Sequence, residues 1–199
     1  MNKRVKKKKT QYWEKLLKTF TNPETEINDK IFNYLLRAKI LLIELGHMEF
    51  DDTKMQLLAP YVDEARETLL ERAFFSDDYS AEVLESYLYK YELKREDEGT
   101  LIYLMECNTN NLEKKKCLIN FCKRSNSMKI SKIARNVEFG MELVKCIDVD
   151  FIKNTYQKNL QNPYILMAIA KNPITPQEIK KELKNVKGIK YAAQIRNIV

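Results

Sequence analysis

Apolar side chains in this chain recur three and four positions apart, the spacing that lines one face of an α-helix. Trp13, Leu16, Leu17 and Phe20 place a short helix over 11–20, which Asn22-Pro23 breaks. Asp29 caps a helix expected to run to about residue 45. Its apolar positions Ile31, Phe32, Leu35, Leu36, Ile40, Leu42 and Ile43 cover more than one stripe, which suits the centre of a bundle. Gly46 stands where a left-handed residue closes such a helix. Thr53 and Gln56 have capping-box spacing. Ala65, Leu69, Leu70 and Phe74 predict a helix over 62–75, followed by a turn at 76–78. Val83, Leu84, Tyr87, Leu88 and Tyr91 predict another over 80–93. The charged stretch 94–98 reads as a connection, and a domain boundary is placed at 95–100.

Beyond that boundary the chain carries a corner. Ala168-Ile-Ala-Lys-Asn-Pro173 ends a helix, because a proline disfavours helical geometry in the residue before it. Thr175 is the expected N-cap of the next helix, with Pro176 in its first position and Glu178 completing a capping box. Similar stretches end on Asn108, Asn136 and Asn197. With Asn172 these are 28, 36 and 25 residues apart, a period that predicts stacked helical hairpins. The expected fold is therefore all-α: a helical bundle, then a short α-solenoid over 100–199. Its last hairpin lacks a polar cap and is expected to pack on the preceding domain or on a second copy of the chain, as a homodimer.

The stretch 168–178, with Ile189-Lys-Tyr-Ala-Ala-Gln-Ile-Arg-Asn197 after it, resembles the leucine-rich-repeat variant, a HEAT-like bacterial repeat. The match is good over 160–199 and partial over 100–160, and positions 109, 137 and 198 lack the family's proline. The resemblance implies a helical-repeat fold and a binding surface, with no activity attached. Its iron–sulfur segment is not carried over, because the cysteines here are scattered.

Composition agrees with helices: only 4 Gly and 5 Pro occur in 199 residues. The absence of a long apolar run or signal sequence gives an expectation of a cytoplasmic protein without a membrane segment. The richness in Lys, Asn and Ile is typical of AT-rich bacterial or phage genomes. Charge then sharpens the division. Six cations fall within residues 1–9, expected to form a disordered basic tail over 1–10. Residues 10–111 hold 11 Lys/Arg against 21 Asp/Glu, so the N-terminal helical domain, 11–95, is acidic. Residues 112–199 hold 18 against 7, so the repeat domain is basic.

Candidate chemistry is correspondingly thin. Cys107, Cys117, Cys122 and Cys146 contain no CxxC pair, and His47 is the only histidine, so neither metal nor cofactor is expected. No GxGxxG, GKS/T, GxSxG or HExxH pattern occurs, which leaves the common enzyme classes without support. A repair glycosylase would need a carboxylate and an aromatic pocket in the groove, and the basic repeats contain few of either. The sequence therefore points to a non-enzymatic binder whose basic surface meets nucleic-acid backbone. The candidate contacts are Lys114, Lys115, Lys116, Lys123, Arg124, Lys129, Lys132, Arg135, Lys171 and Arg196. Arg135, Lys171 and Arg196 each precede an anchoring asparagine and would stack into a stripe. The alternative is a protein–protein module or inhibitor acting through the acidic half or the repeat groove.

Overall fold

The computed structural model describes residues 52–60, 63–91, 97–107, 109 and 111–199. The basic tail, the helices expected over 11–20 and 29–45, His47 and Asn108 lie outside the described residues. Within them every regular element is an α-helix, as the apolar periodicity predicts. They fall into two compact units: 52–60, 63–79, 86–91 and 97 in the first, and 80–85, 98–107, 109 and 111–199 in the second.

The first unit contains α1 (Asp52–Leu58), α2 (Asp63–Phe75) and the later turns of α3 (Ala81–Lys90). Leu69, Leu70, Ala73 and Phe74 of α2 are buried, as are Met55 of α1 and Tyr87 and Leu88 of α3. α1 starts at Asp52, so Thr53 lies inside its first turn instead of capping it. An ion pair crosses this interior. Arg66 is 1% exposed and Asp97 0%. Arg66 Nε donates to Asp97 Oδ1 at 2.8 Å, Nη2 to Asp63 Oδ1 at 2.6 Å, and Nη1 to the Ala59 carbonyl at 2.9 Å. Burial works against the guanidinium's charge, but the bonds to Asp97 and Asp63 outweigh it and raise its pKa above the ordinary value.

The second unit contains α4 (Glu98–Glu106), α5 (Leu112–Lys123), α6 (Met128–Val144), α7 (Val149–Lys158), α8 (Pro163–Lys171), α9 (Gln177–Leu183) and α10 (Ala192–Ile198). Several helices begin on a side chain suited to the orphan amides there. Asn111, Ser127, Asp148 and Asn162 each accept a bond from the first turn they precede. α8 is the hub, packed against α6, α7, α9 and α10. Its Ile165, Leu166, Ala168, Ile169 and Ala170 are buried with Leu143, Ile152, Ile179, Leu183 and Ile195. Gly140 lets α6 come close to α8: a Cβ there would lie 3.5 Å from both Ala168 Cβ and the Tyr164 carbonyl oxygen. An alanine fits that gap in ordinary contact, whereas a larger side chain would meet α8.

The expected repeat register is corrected at several points. The corner at 129–137 does not exist, because α6 runs unbroken from Met128 to Val144. Position 137 is a valine, which has the amide that continues a helix and lacks the ring that stops one. Asn197 likewise lies inside α10. Asn172, by contrast, does end its helix, turning to an extended φ of −72° and ψ of 126°. At the following start, Pro176 occupies the cap position and α9 begins at Gln177. Thr175 is 3% exposed and donates Oγ1 to the Ile169 carbonyl at 2.6 Å, so its hydroxyl ties down the end of α8 instead of opening α9.

Candidate functional site

The ten candidate cations do not share one face. Lys114 is 0% exposed and so is removed from any surface set. It falls on the buried side of α5 with Leu118 and Cys122, four and eight positions on, so helical periodicity turns the middle of the lysine run away from solvent. Lys115 is half-buried and donates to the Cys107 carbonyl at 2.5 Å, while Lys116 is exposed. Lys123 is engaged by Glu138, at 2.7 and 2.9 Å to the two carboxylate oxygens. Arg196 donates to the Val186 carbonyl at 2.7 Å. Its role is therefore to fasten the segment before α10, and a stripe built on equivalent positions of Arg135, Lys171 and Arg196 loses its repeat register.

Four cations remain together. Arg124 closes α5, and Lys129, Lys132 and Arg135 follow on α6, all exposed. Neighbours three apart on α6 lie on adjoining parts of its surface, and no acidic residue occurs between Arg124 and Arg135. This is the densest unneutralised basic surface of the second unit's candidate set.

A different feature lies between α4, α6, α8 and α10. A cleft of about 680 Å³ is walled by Met105, Val137, Met141, Val144, Met167 and Ile198, with Lys115 and Lys171 among its lining side chains. At its side Glu106 accepts three bonds. Tyr164 Oη donates to Oε1 at 2.5 Å, Lys190 Nζ donates to Oε1 at 2.8 Å, and Tyr191 Oη donates to Oε2. The Lys190 ammonium also lies 4.4 Å from the centre of the Tyr191 ring and 6.0 Å from that of Tyr164. Burial alone would raise the Glu106 pKa, but the bonds from Lys190, Tyr164 and Tyr191 prevail and lower it. Burial raises the pKa of both tyrosines, and their bonds to the carboxylate raise it further. Tyr191 holds a left-handed backbone, φ 64°, in the turn that leads into α10. Its hydroxyl and the neighbouring Lys190 are thus bonded to α4 where the chain bends.

The cleft does bring a carboxylate and aromatic rings together, which sequence reasoning did not anticipate. Partners of Glu106 lie 58, 84 and 85 residues along the chain, so no local spacing announces them. Glu106 is held as an anion by three donors, which makes it a tether between α4, α8 and the start of α10. Its folded-state pKa is depressed, so its stabilisation is present above the unfolded carboxyl value and is lost as pH falls through the folded value. Glu106→Gln is expected to cost about 1–2 kcal/mol at neutral pH. Urea unfolding of the two proteins should converge at acid pH, and a deficit unchanged there would refute the ionic tether.

Other groups offer less chemistry. The four cysteines are unpaired. Burial pushes the Cys117 thiol up to about 11 and the Cys122 thiol up to about 12, so both stay protonated at neutral pH and are poor nucleophiles. Among the described residues no group of three or more His, Cys, Asp or Glu is placed to hold a metal ion. No described helix is long and apolar enough to cross a membrane. Comparison with protein-family models, curated proteins and solved structures gave no match.

Proposed function

We propose that this protein is a non-enzymatic binder whose basic second unit contacts nucleic-acid backbone. The observation that carries the reading is the run Arg124, Lys129, Lys132 and Arg135, exposed at the corner before α6 and along its first half, without an intervening acid. Phosphate contacts of this kind position a strand and carry no sequence information. The resemblance of 168–178 to HEAT-like repeats belongs to the same reading, since such repeats act through surfaces.

The test is a salt series. Each phosphate contact contributes roughly 0.9 to the slope of log affinity against log salt on duplex DNA. Replacing all four residues by alanine should therefore lower that slope by about 3 to 4 and weaken binding to every duplex alike. Affinity and slope unchanged in the fourfold variant would end the proposal.

A protein–protein role is the second reading, and one observation favours it. Ile147 is 89% exposed and Phe151 44%, with Val149 also exposed, which leaves three apolar side chains in solvent around the start of α7. A stoichiometric partner retained after nuclease treatment, and lost with Ile147→Ser and Phe151→Ser, would move the assignment to that reading.

A further inference from the structure

The cleft between α4, α6, α8 and α10 combines two properties that the proposed nucleic-acid surface does not use. Its walls are mostly apolar and flexible, with Met105, Met141 and Met167 contributing thioether side chains that adapt to irregular shapes. Its volume, about 680 Å³, falls in the range of small-molecule pockets. Two ammonium groups, Lys115 and Lys171, belong to the same lining, and the charge of Lys171 disfavours that of Lys115.

Neither amine has a carboxylate partner among the described residues. Lys115 donates to the Cys107 carbonyl; burial chiefly lowers its pKa, Cys107 opposes the shift, and the charge of Lys171 adds a smaller lowering. Lys171 is exposed at the C-terminal turn of α8 and makes no ion pair with the described residues. The one acid in the lining, Glu106, is already taken by Lys190, Tyr164 and Tyr191. A pair of neighbouring cations without an anion, next to an apolar cavity, is electrostatically incomplete, and an anionic group between them would relieve the repulsion.

We infer that this cleft binds a small amphiphile, with an anionic head between Lys115 and Lys171 and an apolar body against Met105, Met141, Met167 and Ile198. The charge of the two lysines selects an anion over a cation, and the apolar wall selects a chain over a small inorganic ion. The site is independent of the Arg124–Arg135 surface, so failure of either leaves the other standing.

Titration calorimetry on the full chain with decanoate, and with decyltrimethylammonium as a cation of equal tail length, tests the inference. Decanoate is expected to bind saturably at one molecule per chain, and the cation not to saturate. Lys171→Glu should weaken decanoate at least about tenfold. Lys181→Glu makes the same charge change on an exposed position of α9 outside the cleft and should leave affinity within about twofold. Amide NMR signals of Gly140 and Ile198 should shift with decanoate. Equal binding of the two amphiphiles, equal losses in the two variants, or no saturable decanoate binding would each overturn it.

Discussion

Asp97→Ala is expected to cost the first unit about 3–5 kcal/mol, the penalty for leaving one member of a buried ion pair without the other. Asp97 and Arg66 are both essentially inaccessible, and Arg66 Nε and Nη2 both lie 2.8 Å from Asp97 Oδ1. Two other acceptors remain after the change. Ala59 offers a neutral carbonyl, and Asp63 has a side chain 38% exposed, so its charge is shared with solvent and cannot replace a buried carboxylate. Asp97→Asn keeps the shape and removes the charge, and should recover only part of the loss. Arg66→Met combined with Asp97→Leu should regain most of it, because apolar replacement of both members removes the stranded charge. Urea denaturation followed by circular dichroism measures all four proteins. A single-variant loss below about 1 kcal/mol would mean that the pair is hydrated in solution.

That pair also shows where sequence reading stops. Arg66 lies in a helix whose extent was legible: periodic Ala65, Leu69, Leu70 and Phe74 predict 62–75, and α2 spans Asp63–Phe75. The same periodicity placed Leu84, Tyr87 and Leu88 of α3 in the interior. Helical patterning is a local property, set by neighbours three and four apart, so it survives without tertiary information. The partner of Arg66 is 31 residues away in a connection that reads as solvated charge, and nothing local marks Asp97 as buried. Lys114 failed for the related reason that composition alone cannot say which lysine of a run faces inward. The corners expected at Asn136 and Asn197 differ for another reason. A motif of an alanine-rich helix ending in asparagine was extended to Asn136 and Asn197, yet the stop at Asn172 depends on Pro173, and the other two sites lack a proline. What was transferable was the amphipathic helix, and what was local to one corner was the break.

Asn172 itself carries the second large effect. It is 1% exposed, and its Nδ2 donates to the Leu143 carbonyl at 2.8 Å and the Cys146 carbonyl at 2.7 Å. Its Oδ1 accepts from the Ile174 amide at 2.9 Å. One side chain thus adds a second donor to the Leu143 carbonyl, which also accepts from the Cys146 amide at 3.1 Å, and supplies one to the Cys146 carbonyl just beyond α6, while fixing the turn that leaves α8. Asn172→Ala removes both donors and should cost about 2–4 kcal/mol. Asn172→Asp is nearly isosteric and keeps the bond from the Ile174 amide, but directs its second carboxylate oxygen at two carbonyls, and the expected loss is larger, about 3–5 kcal/mol, because a buried charge now meets two acceptors in place of the lost donor. The pH dependence separates these causes. Burial among carbonyls raises the pKa of the new carboxyl, and protonation returns one O–H donor. Compared with wild type at the same pH, the Asp variant should therefore recover part of its deficit as pH falls, while the Ala variant should not. Parallel urea titrations at neutral and acid pH measure the difference, and an Asp variant whose deficit does not shrink would show that the side chain is not donating to those carbonyls.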